Sequence, residues 1–193
     1  MHTMDLAAAT LTLGRVRLEP FTEDHRMGLA AIAAAEPALF RHMPFAVVHE
    51  GYGAWFDLLR ADQAASRSIP HAIFLDDAYV GQSCFLNIRR RDAGVEIGST
   101  WYVSAVHGGI VNPSAKLLLM NHAFTSCAER VELKTDALNE QSRAAILKLG
   151  AKFEGIHRRH MRRADGSLRD TAWYSVLRDE WPTVKACLEA RLA

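Results

Sequence analysis

The sequence predicts an α/β fold built on one mixed sheet, and three observations carry that reading. A strand-helix-strand unit occupies the middle of the chain, from Val95 to Asp136. Hairpins flank it on both sides. The predicted elements run β-α-α-β-β-β-α-β-α-β-β-α, with no linker, repeat or low-complexity stretch between them. The 193 residues are enough for one domain with a full core, taken as 1–193 with its core over 11–181.

Leu11 to Leu18 reads as a strand ending at Pro20. Thr22 is placed to N-cap a helix with Glu23 and Asp24 in its first turn, and the Ala-rich run to Ala35 continues it. Glu36 to His49 is irregular, broken by Pro37 and Pro44. Gly51 to Arg67 reads as a helix, with Trp55, Leu58, Leu59 and Asp62 near helical spacing. Phe40, Met43, Phe45, Trp55 and Phe56 supply core or cleft wall. His71–Leu75 and Tyr79–Ile88 form a hairpin across Asp76-Asp77-Ala78.

In the central strand, Val95, Ile97, Trp101 and Val103 share one face by period two. Glu96, Gly98, Thr100 and Tyr102 share the other. His107 to Val111 is a turn, and Asn112-Pro113 suits the cap and first position of a helix. Leu117, Met120, Phe124 and Cys127 recur at helical spacing, and Val131–Asp136 returns as a strand. Such a unit requires parallel strands and a right-handed crossover. Asn139 then caps a helix with Ser142, Ala145, Ile146 and Leu149 on one face, and Gly150 stops it. Phe153–Met161 and Leu168–Arg178 pair across Ala164-Asp165-Gly166-Ser167. A last helix starts near Asp179.

A net charge of +1 gives no global attraction for nucleic acid or a membrane surface. Cys84, Cys127 and Cys187 are far apart and lack metal spacing, which reads as reduced thiols in a cytoplasmic protein, with Cys127 buried. Met1 to Thr10 lacks the pattern of a signal peptide, and the longest apolar run, Leu29 to Ala35, is too short to span a bilayer.

Parallel strands can splay at their carboxyl ends, and ligands favour that crevice. Behind Gly108, backbone N–H groups of Gly109, Ile110, Val111 and Asn112 stand at a helix start. Those of Ser114 and Ala115 lie beyond the proline. Together they make a phosphate site, with Lys116 adding charge. The rival reading is an ordinary glycine turn.

At this point the sequence resembles the GNAT superfamily of acyl-CoA N-acetyltransferases, over Leu11 to Trp181, and within it the RimJ/RimL-type branch. Glu96-Ile97-Gly98 carries the match. So do Asn139-Glu140-Gln141-Ser142 with Lys148-Leu149-Gly150-Ala151, and Phe153-Glu154-Gly155 with Arg158-Arg159. Arg169-Asp170-Thr171-Ala172-Trp173-Tyr174-Ser175 fits that branch. One motif departs. The family's pyrophosphate loop, Gln/Arg-x-x-Gly-x-Gly/Ala, is here His107-Gly108-Gly109-Ile110-Val111-Asn112, with the glycines one step early.

The resemblance implies a GNAT-like fold whose fourth and fifth predicted strands splay. It implies acetyl-CoA as co-substrate, no metal, and direct transfer to a primary amine. The branch points to a protein N-terminal amine and to a homodimer. A small-molecule amine acceptor, or a non-catalytic acyl-CoA-binding module, are the alternatives. Asn139 is a cap by its own chemistry, and the resemblance adds a hydrogen bond to the pantetheine or acyl arm. The family's tyrosine position is Ile146 here, which leaves Ser142 as proton donor to the leaving thiolate or as a plain surface serine. Backbone N–H groups of Trp101, Tyr102 and Val103 are available to an oxyanion.

Glu96 reads as a general base for the amine, or as a strand carboxylate paired with an arginine such as Arg89. Glu154 is a weaker candidate base. Tyr174 is a proton donor or packing. His157 to Arg163 is mostly the solvated face of a hairpin, with an acidic substrate segment or the 3′-phosphate of CoA as possible ligands. No interleaved aromatics favour nucleic acid there, and His157 and His160 lack the carboxylate of a metal site.

Overall fold

The computed structural model describes residues 3–43, 51–163 and 165–193. Pro44 and Phe45 of the irregular segment, and Ala164 of the last turn, lie outside the described residues. The strands are β1 (Leu11–Leu13), β2 (Val16–Pro20), β3 (Ile69–Leu75), β4 (Ala78–Arg89), β5 (Gly94–Tyr102), β6 (Arg130–Asp136), β7 (Lys152–Arg162) and β8 (Leu168–Leu177). The helices are α1 (His25–Ala35), α2 (Gly51–Ala64), α3 (Val111–Thr125), α4 (Glu140–Lys148) and α5 (Trp181–Ala190). The strands form one mixed sheet in the order β1-β2-β3-β4-β5-β6-β8-β7. β5 and β6 run parallel, as the crossover through α3 demands, and the remaining neighbours are antiparallel.

Local chemistry explains where the elements break. The expected strand from Leu11 to Leu18 is two strands, because Gly14 at φ +55° turns the chain and β1 folds back on β2. Asp76 and Asp77 hold φ values of +49° and +64°, the positive pair that a two-residue hairpin needs. α1 starts at His25, later than Thr22 suggests, and the Thr22 N–H donates to His25 Nδ1 at 2.9 Å. α3 starts earlier than expected. Its N-cap is Ile110, with no side-chain cap bond, and Asn112 lies inside the first turn. The Asn112 side chain instead accepts from Tyr102 Oη at 3.2 Å. Cys127 falls beyond the end of α3 and is half-buried, not part of its apolar face.

The sheet separates two cores. α3, α4 and α5 cover one face, packing on Val95, Ile97, Leu133 and Tyr174. α1 and α2 cover the other, where Phe21, Phe56, Trp55 and Phe40 surround Trp101. Phe40 meets the Trp101 ring edge-on at 5.3 Å. Each fully buried large apolar side chain contributes about 1.5–3 kcal/mol.

The period-two reading of the central strand fails at one residue. Gly98 pairs with Cys84 and Trp101 with Gln82, so three steps on β5 match two on β4. Ser99, at φ +48°, takes up the extra residue as a β-bulge. After the bulge the faces exchange. Thr100 and Tyr102 join Val95 and Ile97 under α3, while Trp101 joins Glu96 and Gly98 facing α1 and α2. Glu96 therefore does not share a face with Thr100 and Tyr102, contrary to the sequence pattern.

Candidate active site

The parallel ladder holds for three pairs only, Gly94–Arg130, Val95–Val131 and Glu96–Glu132. Beyond them β5 continues to Tyr102 and β6 to Asp136 without pairing each other, and a cleft of about 1000 Å³ fills the gap. The second half of β5 forms one wall, and β6 with α4 forms the other. His107, Gly108 and Asn112 lie toward the start of α3, and Glu36 and His42 lie beyond α1.

Glu96 lines this cleft at 1% exposure. Its carboxylate meets Lys134 Nζ at 2.8 Å and accepts from Asn87 Nδ2 at 2.6 Å. Arg89, the partner considered from sequence, binds Glu132 instead at 2.8 Å. Gly98 makes room for the carboxylate. A Cβ there would stand 2.7 Å from Glu96 Oε1 and 3.0 Å from Leu86 Cδ1. The Glu-Ile-Gly triplet thus has a steric reason.

At the α3 end, Gly108 adopts φ +77° with open space where a side chain would be. The Ser114 N–H bonds to the Ile110 carbonyl at 3.0 Å, so it is spent inside the helix, and Ala115 is fully buried one residue on. The donors left ahead of that first helical bond are those of Ile110, Val111 and Asn112. Gly109 turns its N–H back to the Val106 carbonyl at 3.3 Å. Gly109, Ser114 and Ala115 therefore drop out of the expected phosphate-facing set.

Lys116 also departs from expectation. It is buried, with Nζ 2.8 Å from Thr100 Oγ1 and 3.4 Å from Ser83 Oγ. Burial pushes its pKa down to about 7. Its amine braces β5 against β4 from beneath the bulge, and adds no fixed charge to the loop. Val103 spends its N–H on the Val80 carbonyl at 2.8 Å, so Trp101 and Tyr102 alone of that trio remain on the cleft wall.

Asn139 caps α4, its Oδ1 accepting from the Ser142 N–H at 3.0 Å, and both side chains line the cleft with Ile146. Glu154 lies elsewhere. Arg130 grips its carboxylate bidentately and holds it below the usual carboxylate range, with Ser175 Oγ at 2.8 Å. It borders a separate groove of about 330 Å³ with Arg89, His157 and Trp173. Tyr174 is fully buried and accepts from Arg143 Nε at 3.0 Å, so it reads as packing.

The basic strand β7 is exposed over most of its length. Its His157 ring lies 4.9 Å from the Trp173 ring, an aromatic contact the linear pattern hides. Among the described residues no group of three or more His, Cys, Asp or Glu side chains could hold a metal ion, and no helix is long and apolar enough to cross a membrane. Arg169, Lys134 and Asn87 are cleft residues to which the sequence pattern gave no role. Arg169 is 5% exposed on β8, and only the fold reveals that it reaches the cleft.

A parallel pair splayed around a cleft, with a helix start at one end and a buried carboxylate on the wall, defines an acyl-transfer site of the GNAT type. Residues 15–152 match the family described as "Acetyltransferase (GNAT) domain", and the chain belongs to that family of enzymes. Among solved structures it is similar to a T. thermophilus protein assigned as an acetyltransferase, at 35% identity and a TM-score of 0.85, covering 95% of this chain and 97% of that one. Mycobacterium smegmatis RimJ, solved with CoA-disulfide, is 25% identical with a TM-score of 0.81, over 99% of this chain and 97% of that. A Salmonella typhimurium acetyltransferase that modifies the N-terminal serine of ribosomal protein L7/L12 shares the fold at 17% identity and a TM-score of 0.77, over 86% and 96%. Comparison with the curated proteins finds no match.

Proposed function

We propose that the protein moves an acetyl group from acetyl-CoA directly to a primary amine, and that its acceptor is a protein N-terminal α-amine. The observation that carries this reading is the buried Glu96 carboxylate on the wall of a cleft whose far end is the start of α3. The RimJ structure with CoA-disulfide supports the cofactor, and the Salmonella protein's modification of an N-terminal serine supports the acceptor class.

The α3 end fits a pyrophosphate. Gly108 has no side chain to block approach, and the Ile110, Val111 and Asn112 donors precede the first helical bond. Asn139 would hold the extended arm. Acetyl-CoA supplies the activated acyl group as a thioester. Glu96, oriented by Lys134 and Asn87, takes a proton from the attacking amine directly or through water. An α-amino group has a pKa near 8, so a modest base suffices. The Ser142 hydroxyl returns a proton at the departing sulfur, and the N–H group of Tyr102, on the edge of β5 away from β4, faces the carbonyl oxygen. The reading involves no covalent acyl-enzyme, because Cys84 is fully buried and burial raises its thiol pKa far above the reactive range. The same reading takes the cytoplasm as compartment and a homodimer as assembly.

The test is a panel of N-terminal peptides and small amines incubated with acetyl-CoA, following thiol release and the mass of the product. Acetylated peptide amines are the expected result. CoA binding without transfer to any amine would make the protein a binding module.

A further inference from the structure

Among the described residues five lysine or arginine side chains line the cleft, Arg41, Arg67, Lys116, Lys134 and Arg169. Four are accounted for. Arg67 pairs with Asp62 at 2.6 Å and Lys134 with Glu96 at 2.8 Å. Arg41 is open to solvent. Lys116 is held by two hydroxyls. Arg169 differs from all of these. It is 5% exposed, and among the described residues no carboxylate lies within salt-bridge distance of it. Among the described residues its Nε is buried with no hydrogen-bond partner, and its Nη1 reaches only the His42 carbonyl, at 3.4 Å.

Neighbouring Asp136 does not satisfy it. Both Asp136 oxygens are taken by Arg163, at 2.6 and 3.0 Å. A guanidinium is permanently charged, and a buried one without an anion is costly. Its planar donors match a carboxylate. The position is informative too. Arg169 lies next to the carbonyl beyond α1 and on the sheet face that carries Lys134 and Trp173, the same side as Glu96. The start of α3 packs on the opposite face.

We propose that Arg169 is a specificity-determining residue that binds a carboxylate on the acceptor, so that the preferred substrate is a primary amine carrying an acidic group a few bonds away. The inference rests on the N-acetyltransferase reading and deepens it. The acceptor amine meets Glu96 while its carboxylate meets Arg169. An acidic residue near a peptide N-terminus and a free amino acid both offer that chemistry.

The experiment compares acid and amide forms of one acceptor. The peptide pair is Ala-Glu-Ala amide and Ala-Gln-Ala amide, and the small pair is β-alanine and β-alaninamide. For at least one pair, kcat/KM should favour the acid by about ten- to a hundredfold, the range of a charge-assisted hydrogen bond. The pair that shows the preference identifies the source. Arg169→Gln should erase the preference through KM for the acid, leaving CoA affinity and the amide unchanged. Equal kcat/KM for acid and amide in both pairs, or a loss in Arg169→Gln shared by both forms, would overturn the proposal while leaving the transferase reading intact. The wild-type comparison decides the matter even if the variant fails to fold. Calorimetric titration of the four compounds into CoA-loaded protein separates the remaining case. Acid binding without acetylation keeps the anion subsite and removes these amines as acceptors. Absence of both acid binding and acid turnover overturns the subsite.

Discussion

Replacing Glu96 by Gln keeps the side-chain shape and removes its charge. Two effects follow, and the structure separates them. Lys134, 16% exposed, loses its carboxylate at 2.8 Å. Breaking a fully buried pair costs about 3–5 kcal/mol. Lys134 keeps some solvent and lies 5.2 Å over the Trp173 ring, so about 2–3 kcal/mol is the expected loss. At roughly 2–4 °C per kcal/mol for a chain of this size, Tm should fall by about 4–12 °C. The second effect is chemical. Loss of a general base lowers turnover by about 100- to 10,000-fold. The loss should shrink above about pH 8, where the amine is already neutral, with CoA affinity unchanged. Adding Lys134→Met removes the stranded cation. The double variant should recover much of the Tm and none of the turnover. Wild-type turnover in Glu96→Gln at neutral pH would refute the reasoning. Turnover restored in the double variant would do the same, because the carboxylate would then serve only to neutralise Lys134.

Gly108→Val forces a β-branched side chain into φ +77°, and should weaken CoA binding by calorimetry more than it changes acceptor KM. Gly109→Ala, whose Cβ would stand 3.4 Å from the Val106 carbonyl, should do much less. Asn139→Ala should lower stability by about 1 kcal/mol for the lost cap and also raise the KM for acetyl-CoA; a fall in Tm alone would leave Asn139 as a cap and nothing more. Lys116 titrates near 7 when folded and near 10.5 when unfolded, so the unfolded chain binds the extra proton between those values and stability rises with pH across that window. The penalty is fully present below about pH 7, up to about 5 kcal/mol. Lys116→Met should therefore melt higher than wild type at pH 6, with the gap closing toward pH 10. A constant gap across pH would place the proton elsewhere.

The strand-helix-strand unit and the parallel pair were legible because they depend on local spacing and on connection length. The Asn139 cap was legible for the same reason: its partner is three residues away. The bulge at Ser99 was not. A residue at positive φ inside a strand leaves no mark in hydrophobicity, and the pattern before it, Val95 and Ile97, continues falsely into Trp101. The α3 start misled because Asn-Pro carries a cap signal, while the Tyr102 hydroxyl, ten residues upstream, draws Asn112 inward. Lys116 and Arg169 read as ordinary charges. Their burial depends on what packs over them from distant parts of the chain, Ser83 and Thr100 for one and the segment beyond α1 for the other.

The short parallel ladder has a further consequence. A sheet normally ends at its two flanks, and here one flank, β7, bears lysine and arginine that discourage pairing with other chains. Where β5 and β6 part after Glu96, the sheet has a third border, in its interior. Backbone groups along that border lack the cross-strand partner they would have in a continuous sheet. A single extended thread can enter, and one bearing amide groups can bond to the border as a strand would. The border thus offers a guest backbone hydrogen bonds before any side chain tests its chemistry.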